Sequence, residues 1–179
     1  MPKQTKTKKG IEDIHGIIGQ YWHGNEPSHH IVYLYNYVNE PWKTQAMVHK
    51  IMKTQYGNKP NSLCGNDDCG QMSAWYIFNV LGFYPVCPVN DQFVIGSPCA
   101  KNATMNLSNG KIFEMEAVNY SEKNIYIQSV SLNGKKWDKT YVPFDEIRNG
   151  GKIIYTMGQK PNKKWGVAND SKPASISGF

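Results

Sequence analysis

With 179 residues, 40% of them hydrophobic and 12% aromatic, the chain has the composition of a folded globular protein of about one domain, which excludes disorder, collagen and coiled coil as descriptions of the whole. No run approaches the roughly 20 apolar residues of a membrane-spanning helix, and the opening MPKQTKTKKG lacks the apolar stretch of a secretory signal. The net charge of +6 is unevenly placed: residues 1–10 hold four lysines and no acid, 11–134 hold seven bases against ten acids, and 135–179 hold nine against four, so no basic face with interleaved aromatics invites a nucleic acid.

In chain order, residues 1–10 read as a solvated basic tail. The spacing predicts a helix over 27–38, with Pro27 at the first helical position, where its missing N–H costs nothing. A second helix is expected over 41–56, starting at Pro41. Trp42, Ala46, Ile51, Met52 and Tyr56 recur on one face, and Gly57 followed by Pro60 ends it. A third is expected over 71–81, where Met72, Trp75, Tyr76, Phe78 and Leu81 mix steps of three and four before Gly82 stops the helix. From residue 92 the period changes to alternation broken by turns. Segments 103–107 and 112–118 flank Asn109-Gly110, and 124–132 runs into Asn133-Gly134; 137–142 follows, then 152–157 after Asn149-Gly150-Gly151. Asn-Gly tolerates the positive φ of a tight turn, so five to seven antiparallel strands are expected in a small sandwich, with the chain beyond Gly158 mostly loop. The fold class is α+β: helices within 11–84, then a β-rich region over 85–179.

Two polar clusters interrupt this apolar pattern, each at the start of a predicted helix. One is His23-Gly24-Asn25-Glu26-Pro27-Ser28-His29-His30; the other is Gly65-Asn66-Asp67-Asp68-Cys69-Gly70-Gln71. Helix N-termini expose unpaired N–H groups, so Asn25, Glu26, Asn66, Asp67 and Asp68 can all be caps. A cap needs one oxygen, however, and adjacent carboxylates repel unless a cation or a shared proton lies between them. Oxygens of this kind suit a hard cation such as calcium, and a carboxylate holding a water suits a hydrolytic general base. His29 and His30 point about 100° apart on a helix and cannot both face one ion, so one is expected to be packed and the other open. Cys64, Cys69, Cys87 and Cys99 lack the spacing of a zinc site and read as buried thiols or one local disulfide.

The run Ile17-Ile18-Gly19-Gln20-Tyr21-Trp22 into the first cluster, then Tyr33-Leu34-Tyr35-Asn36 and Pro41-Trp42-Lys43-Thr44-Gln45, resembles the C-terminal part of glycoside hydrolase family 92, the calcium-dependent exo-acting α-mannosidases. So do the second cluster with Met72-Ser73-Ala74-Trp75-Tyr76, then Leu81-Gly82-Phe83-Tyr84-Pro85 and Ile95-Gly96-Ser97-Pro98. The similarity covers residues 11–170. It implies that the helices are the last part of an (α/α)6 barrel, that the reaction inverts the anomeric centre, and that the partner is a mannose-containing glycan. The resemblance places the general base at Asp68, with Asp67 and Asn66 next to hold the attacking water, His23 and His30 among the substrate-binding residues, and Asn25 and Glu26 in a calcium loop. The family's catalytic acid is a glutamate upstream of everything matched here, so the chain alone is expected to be inactive. Family members are usually periplasmic or extracellular. The rest of the barrel being absent, Trp42, Trp75, Tyr76 and Phe78 are expected to lie exposed and to drive self-association. A different reading makes the β region a carbohydrate-binding module using Trp137, Tyr141 and Trp165. A third makes the chain a subunit that completes its site with another polypeptide.

Overall fold

The computed structural model describes residues 16–175, so the basic stretch 1–10 lies outside the described residues. A two-stranded hairpin, β1 (Ile17–Ile18) and β2 (Tyr21–Trp22), comes first, turning at Gly19. Helix α1 (Pro41–Thr54) follows, with Pro41 at its start and Thr44, Gln45, Val48, Ile51 and Met52 forming its buried stripe. Helix α2 (Gln71–Leu81) buries Met72, Trp75, Asn79 and Leu81 and stops at Gly82, whose φ of 89° is the left-handed cap that glycine adopts without strain.

Residues 27–38 are not one α-helix. A three-residue 3₁₀ turn, Glu26–Ser28, is followed by a 3₁₀ helix, Ile31–Val38. Ile, Val and Tyr are weak α-helix formers, and tertiary bonds favour the tighter winding. A period of three puts Tyr33 and Asn36 one above the other, where Tyr33 Oη donates to Asn79 Oδ1 and Asn36 Nδ2 donates to the Ile95 carbonyl at 2.7 Å.

From Phe83 onward the chain is mostly strand: β3 (Phe83–Cys87), β4 (Gln92–Ile95), β5 (Asn102–Asn106), β6 (Ile112–Val118), β7 (Tyr126–Leu132), β8 (Lys135–Lys136), β9 (Tyr141–Pro143) and β10 (Gly151–Gly158). A short helix, α3 (Phe144–Arg148), links β9 to β10. The strands form two sheets, ordered β3-β4-β9 and β5-β6-β10-β7-β8. The expected all-antiparallel arrangement is corrected at one pair: β10 lies between β6 and β7, antiparallel to β7 and parallel to β6. The chain leaves the larger sheet for β9 and returns through α3, which brings β10 in along β6. Asn133-Gly134 makes the two-residue turn, with φ of 51° and 77° between paired Leu132 and Lys135. Ser108-Asn109-Gly110 is instead a three-residue loop closed by Leu107 N–H to the Lys111 carbonyl at 2.9 Å.

The small sheet is the middle layer. Phe83 and Ile95 face the larger sheet and join Phe113, Met115, Ile127, Ile153 and Tyr155 in one core. Their neighbours Tyr84 and Val94 face the helices and join Tyr33, Val48, Ile51 and Trp75 in a second. Strand alternation thus serves two cores from one sheet. Gln45 fastens the layers directly, its Oε1 accepting the Ile127 N–H of β7 at 3.0 Å.

The expected exposed apolar residues are largely corrected. Trp75 is fully buried, Phe78 and Trp42 are half-buried, and of the four only Tyr76 is exposed; the outward apolar row is Ile31, Leu34 and Val38, with Ile77 beside Tyr76. Tyr33 of the 3₁₀ helix and Trp75 of α2 turn inward because the small sheet supplies the cover that the sequence pattern does not reveal. All four cysteines are free thiols.

Candidate active site

The two polar clusters meet at the N-terminus of α2. Glu26 sits in the 3₁₀ turn after the β1–β2 hairpin, and Asp68 in the turn before α2. Asp68 and Cys69 have φ of 44° and 59°, a left-handed pair between Gly65 and Gly70, which also have positive φ. Consecutive non-glycine residues in this region are strained, and such strain persists where the surroundings impose it. The strained turn separates the two carboxylates. Asp67 folds back onto the helix, its Oδ1 accepting Ser73 N–H at 2.9 Å and Ser73 Oγ–H at 2.8 Å. Asp67 therefore caps a first-turn N–H of α2 from three residues before the N-cap position, Gly70. Asp68 points outward, exposed, to Glu26: a hydrogen bond to Glu26, then loss of hydration, then the charges of Glu26 and Asp67 hold its pKa above the usual aspartate value. Glu26 Oε1 is buried with no partner. Asn66 is exposed beside them.

Beneath the acids lies a packed aromatic bed. His23 is fully buried, stacked on His29 at 4.7 Å and edge-on to Trp75 at 4.4 Å. Tyr56 Oη donates to the Met72 carbonyl at 3.1 Å, so it accepts from His23 Nε2–H at 2.8 Å; His23 Nδ1 then accepts from Tyr21 Oη–H at 2.8 Å. The ring is neutral by this wiring, and burial with the neighbouring His29 lowers its pKa to about 3. His29 is neutral in the same tautomer, its Nε2–H donating to the His23 carbonyl at 3.0 Å while Nδ1 accepts the Gln71 amide at 3.3 Å; burial lowers its pKa, which the His23 carbonyl partly offsets.

The structure thus brings Glu26 and Asp67 to Asp68, with Asn25 and Asn66 their neighbours in the chain. It puts His23 underneath with no free ring nitrogen, and it divides the histidine neighbours, His29 buried and His30 exposed. Tyr21, Tyr56, Gln71 and Tyr84 belong to the same network, and the sequence reading assigned none of them a role in the site. Gln71 closes the second cluster and was visible as a motif residue; Tyr56 lies 33 residues from its histidine partner and carried no local signal. The aromatics proposed for a binding module are engaged: Trp165 is buried with its indole N–H on the Trp137 carbonyl at 3.0 Å, and Trp137 donates to the Tyr141 carbonyl at 2.9 Å.

As a metal site the residues are of the right chemistry and incomplete. Asn25, Glu26 and Asp68 offer hard oxygen, and the partnerless Glu26 oxygen is an acceptor that lacks a donor. Among the described residues no three His, Cys, Asp or Glu gather to hold an ion, whereas calcium takes about six to eight oxygens.

The profile of the glycosyl hydrolase family 92 catalytic domain matches residues 1–159, a range that includes the lysine-rich start. The fold is similar to that of a family GH92 α-mannosidase from Bacteroides thetaiotaomicron solved in complex with mannoimidazole, with 54% identity and a TM-score of 0.91 over 93% of this chain and 22% of that one. It is similar also to a family GH92 inverting mannosidase of the same organism, with 40% identity and a TM-score of 0.83 over 89% of this chain and 22% of that one. In sequence it is 28% identical over 155 residues to an uncharacterized secreted glycosidase of Arthroderma benhamiae, covering 86% of this chain and 20% of that protein. The chain spans about a fifth of the length of the relatives it matches.

Proposed function

Because the chain belongs to glycosyl hydrolase family 92, we propose that it carries the general-base side of an exo-acting, inverting, calcium-dependent α-mannosidase acting on terminal α-mannosides of glycans. The observation that carries the reading is the meeting of Glu26 with an outward, strained Asp68 whose neighbour Asp67 is spent on the helix. An inverting hydrolase needs one carboxylate to take a proton from water and a carboxylic acid about 6.5–9.5 Å away to protonate the leaving oxygen. Asp68 is the base: unprotonated, it accepts a proton from a water that Asn66 helps to hold. Asp67 fixes the turn. Asn25 and Glu26 would hold calcium together with oxygens from elsewhere, and the ion would supply grip on sugar hydroxyls. His30, exposed beside the loop, is available to the glycan, while His23 acts from beneath through its packing. The acid is expected upstream of the matched segment. The secreted relative favours an extracytoplasmic setting.

Two measurements test this reading. The 179-residue chain alone should turn over α-1,2-linked mannobiose with calcium at no better than trace rates, since losing general acid catalysis costs about 10²–10⁴-fold; ordinary glycosidase turnover would contradict it. Calorimetry should show mannose binding only with calcium, and ion-independent sugar binding would favour the carbohydrate-binding module.

A further inference from the structure

We infer that His29 and Gln71 are positioning residues that hold the Glu26 loop against the Asp68 turn. Among the described residues no backbone hydrogen bond joins 23–30 to 65–70; the segments touch where Gly65 faces Gly24, tightly enough that a Cβ there would lie 3.2 Å from the Gly24 carbonyl oxygen. Their alignment is set by side chains. His29 Nε2–H donates to the His23 carbonyl at 3.0 Å, closing the loop that carries Asn25 and Glu26 onto itself. The His29 carbonyl accepts the Trp75 indole N–H of α2 at 3.4 Å. Gln71, the first residue of α2 and three residues beyond Asp68, directs one amide nitrogen to two acceptors: His29 Nδ1 at 3.3 Å and Tyr84 Oη of β3 at 3.0 Å. Both hydrogens of that amide are committed. Gln71 is therefore a strut between loop, helix and middle sheet, and the approach of the Glu26 carboxyl to Asp68 depends on it.

The catalytic meaning of this strut rests on the reading of Asp68 as base, but its test needs neither substrate nor calcium, so the two can fail separately. Amide hydrogen exchange on the 179-residue protein compares wild type with Gln71→Leu, which keeps bulk and removes both bonds. Exchange over residues 23–30 should rise about tenfold or more while residues 112–118 and 151–158 keep wild-type rates, as expected for local opening. The ¹⁵N signal of His29 Nδ1 should move toward that of an unbonded ring nitrogen. Unchanged exchange in 23–30, or equal acceleration in loop and sheet, would overturn the inference. Should Gln71→Leu not fold, Tyr84→Phe removes only the hydroxyl. It should then accelerate the same loop about threefold, and no selective acceleration would be equally fatal.

Discussion

At the scale of single residues, the two adjacent aspartates have different jobs. Asp67 caps α2 through Ser73, so Asp67→Ala should lower unfolding stability by about 0.5–2 kcal/mol, the usual cost of a lost cap. Asp68 makes no such bond and occupies a left-handed position that asparagine tolerates. Asp68→Asn should leave urea unfolding within about 0.5 kcal/mol of wild type. In a longer polypeptide with mannosidase activity, the same change should lower kcat by about 10²–10⁴-fold. An equal stability loss from both substitutions would refute the division. The buried histidines set a pH dependence with a definite sign. His23 has a folded pKa near 3 against about 6.5 unfolded, and His29 is lowered in the same direction. The unfolded chain thus binds more protons in this window, and the stabilisation present above pH about 6.5 is lost as pH falls toward 3. The slope from His23 alone approaches about 1.4 kcal/mol per pH unit. Urea midpoints at pH 7, 5.5 and 4.5 that do not fall would contradict the neutral wiring of the rings.

At the scale of elements, the junction of α2 and β3 is the hinge of the architecture. Gly82 ends the helix at φ 89°, and a Cβ there would meet the Tyr155 ring and hydroxyl at 3.1 Å. Gly82→Ala should therefore cost more than the roughly 1 kcal/mol of an ordinary left-handed glycine, because Tyr155 lies in the full core of the larger sheet and cannot move aside. For a chain of this size each kcal/mol lowers Tm by about 2–4 °C, so a loss under about 2 °C would show that the core yields. The elements legible in sequence were those with strong punctuation: α1 behind Pro41, α2 before Gly82, and the strands around Asn133-Gly134. Helix α3 was missed although Asp145 and Glu146 in its first turn and Arg148 in its last matched the helix polarity. Five residues show no period. The 3₁₀ winding of Ile31–Val38 was beyond reach for a different reason, since it answers to Asn79 and Ile95, residues far along the chain.

At the scale of the molecule, three layers are built on a middle sheet that carries a core on each face. The helical layer still exposes Ile31, Leu34 and Val38 on one side and Tyr76 and Ile77 on the other. Contiguous apolar surface of this kind promotes association. Light scattering on the 179-residue chain should show species larger than a monomer at high concentration, and Leu34→Glu with Val38→Glu should reduce them. A clean monomer in the unmodified chain would remove the argument.

Sequence alone determined the α+β class, the change from helices to strands after α2, both polar clusters and the family, because these depend on local period, turn chemistry and contiguous motifs. Tertiary structure decided which aspartate is spent on the helix, which histidine is buried, and that Gln71, Tyr21, Tyr56 and Tyr84 share the site. It also placed β10 parallel to β6. Those outcomes depend on which distant groups satisfy a buried donor or acceptor, and the linear chain holds no record of that until its layers close around them.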